Sequence, residues 1–225
     1  MNILKVNRNF SNFIFLLAVA TNYWIWRIFT HDQVLGIVLV LLTGSLYMSL
    51  GKNLFLKVTI LLFIIASILT IKSGFDKDLL VTTYDEENKL NDRHPYFAAE
   101  LGNIYLNKFG TFINKKISPL FYQYETNFFS SLDLNLYFFA SHPRERPGVE
   151  EFKKYNFLFL PVFLVGTFFI AQKKPKIVLI YLLTAGFISG FISQSYKLGP
   201  VLLFPFFTTL IVFGLQQVIL KIQNR

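Results

Sequence analysis

The 225-residue chain is 53% hydrophobic and 16% charged, against about 25% charged in soluble domains, which excludes an ordinary soluble fold. Its net charge of +9 comes without a basic stripe of interleaved aromatics, which excludes nucleic acid as a partner, and twelve of its thirteen acidic residues crowd between Asp76 and Glu151. It has no cysteine and only three isolated histidines, His31, His94 and His142, which excludes disulfides and a thiolate nucleophile and leaves no metal or cofactor expected.

A bilayer core of about 30 Å needs roughly 20 mainly apolar residues in a helix. By that measure the first span runs near Phe10–Phe29. Lys5, Arg8 and the small residues Ala18-Val19-Ala20 also fit a cleaved signal peptide, but Tyr23, Trp24, Ile25 and Trp26 extend the apolar run and favour a retained helix with an aromatic belt. Further spans follow at Val34–Leu50 and Leu54–Ile71 and, after a polar stretch, at Asn156–Gln172, Ile177–Ser193 and Val201–Leu220. The expected fold class is therefore an all-α integral membrane protein with six transmembrane helices. It divides into a three-helix region over 1–72, a segment of about eighty residues over 73–155 and a second three-helix region over 156–225.

Lysine and arginine collect on the cytoplasmic side of short loops. If the spans alternate, Lys5, Arg8, Lys52, Lys57, Lys173, Lys174, Lys176, Lys221 and Arg225 share one side, against Arg27, Lys72, Lys153, Lys154 and Lys197 on the other. Both termini are then cytoplasmic, residues 73–155 are extracytoplasmic, and the plasma membrane is the expected location. On the fifth span, Ala185 with Ser189 and Gly186 with Gly190 make two small-xxx-small pairs, which read first as helix packing and second as a ligand groove. Pro161 and Pro205 fall inside two of the spans and are expected to kink them.

Within the polar segment, residues 76–93 read as a hydrated, turn-rich stretch. From Tyr96 to Lys116, apolar residues at Phe97, Leu101, Ile104, Tyr105, Phe109, Phe112 and Ile113 fit one face of a helix, lying on the membrane or capping the bundle. The aromatic stretch Pro119–Ala140 suits the headgroup layer. Arg144 and Arg146 are the foremost phosphate-gripping candidates, the alternative being pairing with Glu145, Glu150 or Glu151 or with lipid headgroups. Asp85, Glu86 and Glu87 form a carboxylate cluster that could supply a base, against the simpler reading of a solvated surface. Acids are nearly absent from the apolar segments, which argues against a proton-coupled transporter.

The run Asn127-Phe-Phe-Ser-Ser-Leu-Asp-Leu-Asn-Leu-Tyr-Phe-Phe, followed by Ser141-His-Pro-Arg-Glu-Arg-Pro-Gly, resembles the late extracytoplasmic loop of GT-C glycosyltransferases of the dolichyl-phosphate-mannose mannosyltransferase-like kind. The closing stretch Ser195-Tyr-Lys-Leu-Gly-Pro, continuing Leu202-Leu-Phe-Pro-Phe-Phe, is similar to that group's last helices. The resemblance covers about two-thirds of the chain, from Gly74 onward. It implies a polyprenyl-phosphate lipid held by Arg144, Arg146, Lys153 and Lys197. It also implies a catalytic carboxylate after the first span, where only Thr30-His31-Asp32-Gln33 stands. Asp32 could be that base, but so short a loop reads more simply as an exposed turn. The chain is about half the usual length of the group, so the expectation is a reduced relative or a split partner. The alternative is a non-catalytic subunit that docks a partner membrane protein through residues 73–155.

Overall fold

The computed structural model describes residues 8–51, 53–80, 88, 92, 95–100, 102, 107–139 and 152–223. Among these the secondary structure is helical, with one isolated antiparallel bridge between Phe75 and Ile192.

The first apolar run is two helices: α1 (Arg8–Ala20) and α2 (Tyr23–His31), bent by 58° at Thr21-Asn22. Asn22 causes the break, because its side chain accepts the Trp24 backbone N–H at 2.7 Å and caps a new helix. The single straight span expected there is therefore replaced by a broken one. A second cap follows at Asp32, whose carboxylate accepts the Leu35 N–H at 3.0 Å and starts α3 (Gln33–Gly51). A short 3₁₀ turn at Asn53–Phe55 reverses the chain into α4 (Leu56–Gly74).

Both α3 and α4 are 19 residues, about 28 Å, long and apolar enough to cross a membrane. Most of their serine and threonine hydroxyls bond back within their own helix, as Thr43 does to Leu39, Ser67 to Phe63 and Thr70 to Ala66, which satisfies them without water. On α4 only 22% of the apolar window is buried, with Ile60, Leu61, Ile64 and Ile68 facing outward. Water would disfavour such a surface and lipid would not.

After the 3₁₀ turn Lys77–Leu79 come the helices of the polar segment: α5 (Lys108–Phe112), a π-helical turn at Ile113–Ile117, α6 (Ser118–Leu132) and α7 (Leu134–Phe138). The continuous amphipathic helix expected over Tyr96–Lys116 is interrupted. Residues 95–100 are helical, but Gly102 takes φ +53, a left-handed turn that ends the helix, and Asn107 caps α5 as a separate one.

The C-terminal part holds α8 (Phe159–Lys173), α9 (Pro175–Ser189), a 3₁₀ turn at Val201–Leu203 and α10 (Phe204–Gln223). With its 3₁₀ lead-in, α10 is the third helix long enough to span, and 72% of its window is buried, which makes it the central strut. Three to four candidate spans follow, depending on whether the bent α1–α2 pair counts as one. At 15 residues, α8 and α9 are shorter than the expected spans. Pro161 and Pro205 stand in the first turns of α8 and α10, where the missing N–H has no helical acceptor to lose. They stand where these helices start, so the kinks expected inside the two spans do not arise from them.

Glycine sets the tightest contact. A Cβ built on Gly166 of α8 would overlap the Leu210 carbonyl of α10, and one on Gly214 of α10 would overlap the Val162 carbonyl of α8. The two helices touch backbone to backbone and run parallel, since Tyr155 meets Thr208 before this crossing and Lys173 lies over Phe213 after it.

Polar residues mark the two ends of the bundle. At one end Gln216 donates to Ser11 at 2.8 Å and to Tyr47 at 2.7 Å, with Tyr47 and Ser11 bonded to each other, so the start of α1 meets the ends of α3 and α10. At the other end Trp24 is fully buried and donates its indole N–H to the Leu198 carbonyl at 2.8 Å, amid Tyr137, Tyr155 and Phe204. The aromatic stretch assigned from sequence to the headgroup layer splits between two environments. Tyr137 and Phe138 are fully buried, stacking on Phe207 and packing on Phe163, whereas Phe121, Tyr122 and Phe129 are exposed.

Candidate functional site

The break at Thr21-Asn22 opens a cleft between the end of α1, the start of α8 and one face of α10. It holds about 260 Å³. Its lining combines apolar side chains, among them Leu17, Ala18, Phe159, Ile211 and Leu215, with the polar Thr21, Asn22, Lys153, Lys154, Asn156 and Thr208.

Two basic side chains beside the cleft, Arg27 and Lys154, are held by aromatic rings. Phe152 lies with the Arg27 guanidinium 4.2 Å and the Lys154 ammonium 4.9 Å from its centroid, and its edge meets Tyr23 at 6.0 Å. The Lys154 side chain is buried, its ammonium 5.7 Å from the Trp24 ring and 6.0 Å from Tyr137, donating to the Leu136 carbonyl at 3.3 Å. Ring faces attract a cation when water is excluded, so this box keeps a charged ammonium beneath the surface. Gly199, at φ +71, is the residue that makes room: a Cβ there would lie 2.9 Å from Lys154 Cε. Lys153 is exposed and lines the cleft. Lys197 is exposed on the loop whose next residue, Leu198, anchors Trp24.

The residues singled out in the sequence separate accordingly. Lys153 lies at the cleft and Lys197 on the neighbouring loop. Asp32 is half-buried at the start of α3, where its carboxylate caps the helix. Arg144, Arg146, Asp85, Glu86 and Glu87 lie outside the described residues. Lys154, Arg27 and Phe152 went unrecognised as a group; the signal was a Phe-Lys-Lys run beside an aromatic-rich helix, a pattern too common to single out.

Asp76 corrects another expectation. Placed by sequence in a hydrated stretch, it is 2% exposed. Its carboxylate accepts Asn127 Nδ2 at 2.7 Å, Gln123 Nε2 at 2.9 Å and the Asp78 N–H at 3.1 Å, while its own N–H donates to the Phe191 carbonyl at 2.9 Å. The acid joins α4, α6 and the loop after α9 in one knot, and it does not line the cleft. The small faces of α9 pack as the simpler reading expects: Tyr124 seats on Gly190, and Phe128 and Leu132 on Gly186.

Among the described residues no group of three or more His, Cys, Asp or Glu could hold a metal. Comparison with protein-family models, with curated proteins and with solved structures gives no match.

Proposed function

We propose that this chain is a six-span membrane protein that holds a phosphate-bearing polyprenyl lipid in the cleft beside α1. The observation that carries this reading is the cleft's mixed lining, apolar Leu17, Ala18, Ile211 and Leu215 beside Asn22, Lys154 and the exposed Lys153. An acyl or prenyl tail would lie along Leu17, Ala18, Ile211 and Leu215, with its phosphate at the lysines. In this reading the lysine-rich ends are cytoplasmic and residues 73–155 are extracytoplasmic, in the plasma membrane, with α1–α2 counted as one span and α8 and α9 as two short ones.

The resemblance to GT-C glycosyltransferases supports the lipid class. No carboxylate lies among the described residues lining the cleft, so the geometry favours lipid binding over sugar transfer by this chain alone. A catalytic acid would come from segment 73–155 or from a partner membrane protein.

The test is binding of a polyprenyl phosphate, compared with the unphosphorylated polyprenol, to the full-length protein in nanodiscs. Lys153→Ala should weaken the phosphate lipid roughly tenfold with little effect on the alcohol, the size of one charge-assisted contact. Ala18→Phe, which fills the apolar side of the cleft, should weaken both. Equal affinity for phosphate and alcohol, or binding unaffected by both substitutions, contradicts the reading.

A further inference from the structure

The helices α8 and α9 are each 15 residues, about 22 Å long, against a hydrocarbon core of about 30 Å. The shortfall lies at one end. They are joined by a turn carrying Lys173, Lys174 and Lys176, residues that belong at the headgroup layer and fix that end at the membrane surface. The missing length of about 8 Å therefore falls at the start of α8 and the end of α9. The α6–α7 unit packs there: Phe138 on Phe163 of α8, Tyr124 on Gly190, and Phe128 on Gly186.

We infer that α6–α7 is a membrane-inserted wedge that replaces the missing ends of α8 and α9, its open face resting on phospholipid at the boundary of headgroups and acyl chains. This inference requires the membrane setting alone and is independent of the lipid-phosphate cleft. The packed face of α6 is Gln123, Tyr124, Asn127 and Ser131; the open face carries Phe121, Tyr122 and Phe129, 62%, 68% and 60% exposed. The packed face borders α9's own outward surface, since Tyr124 meets Phe187, itself 57% exposed. Depth is limited by chemistry. Glu125 lies one turn from both Phe121 and Phe129, and Lys116 is exposed just ahead of the helix, so charged groups keep the face at headgroup level. Amphipathic aromatic helices settle at that level.

The absence of cysteine makes the test direct, because a single introduced cysteine is unique. Phe121→Cys, Phe129→Cys, Leu183→Cys and Lys197→Cys would each be labelled with a small fluorophore in the full-length protein in phosphatidylcholine–phosphatidylglycerol vesicles. Quenching by a headgroup nitroxide lipid, an acyl-chain nitroxide lipid and aqueous iodide is then compared. At positions 121 and 129 the headgroup nitroxide should quench most, with iodide quenching at least about threefold weaker than at position 197. Position 183 should respond to the acyl-chain nitroxide. Iodide quenching at 121 and 129 equal to that at 197 would place the face in water and overturn the inference. So would absence of quenching by all three probes, which would mean that a second copy or another protein covers it.

Discussion

Asp76 illustrates how much one residue fixes. Removing its carboxylate as Asp76→Ala leaves the buried amide groups of Gln123 and Asn127 without their acceptor, at a cost of about 2 kcal/mol or more. Asp76→Asn keeps the shape and one acceptor and should lose less; thermal unfolding in detergent ranks the two. Gly166→Ala should be at least as damaging, about 2 kcal/mol, because the added methyl meets rigid backbone. Gly44→Ala, whose Cβ would meet only Phe15 at 3.8 Å, should be neutral or slightly stabilising. Tyr196 adds a pH dependence. Burial raises its phenol above the usual range, the Ser73 hydroxyl partly opposes this, and the Asp32 carboxylate adds to it. A folded-state value above the unfolded one gives stability that is present below about pH 10 and lost as pH rises through that region and beyond. Tyr196→Phe should flatten the alkaline fall in Tm. None of the Asp76 partnership was readable locally: Lys77 and Asp78 make its surroundings polar, and the amides that bury it stand 47 and 51 residues away.

At the level of elements, apolar length located α3, α4 and α10 to within a few residues, since a spanning helix is dictated by composition alone. The break in the first run was also present in the sequence, as the polar pair Thr21-Asn22 within an apolar stretch, with Asn a favoured cap. Hydropathy averaged over a window conceals such a pair. The prolines were read as kink sites inside apolar runs, but α8 starts at Phe159 and α10 at Phe204, after a 3₁₀ turn, so each proline falls in a first turn. The aromatic segment was ambiguous because Tyr137-Phe138 and Phe121-Tyr122 have the same composition; only their partners separate core from surface. Phe138→Ala should therefore cost about 3 kcal/mol and release α6–α7 to limited proteolysis, whereas Phe121→Ala should change neither.

In the whole molecule, α10 is surrounded and α4 is peripheral, with one end tied by Ser11, Tyr47 and Gln216 and the other closed by Trp24 and its rings. The cleft lies beside the break in the first apolar run, where Asn22 caps α2. Sequence reasoning singled out Lys153, which lines the cleft, and Lys197, which does not, and could not find the cleft itself, because its walls come from three distant parts of the chain. The measurement that bears most directly on this account is photo-crosslinking with a polyprenyl phosphate carrying a diazirine in its tail, followed by peptide mapping. Crosslinks should concentrate on Leu17-Ala18 and on Ile211 to Leu215, and should fall away in Lys153→Ala. Crosslinks spread along the outward faces of α4 and α9, unchanged in that variant, would mean that the lipid meets the protein only as bulk membrane and would contradict the account.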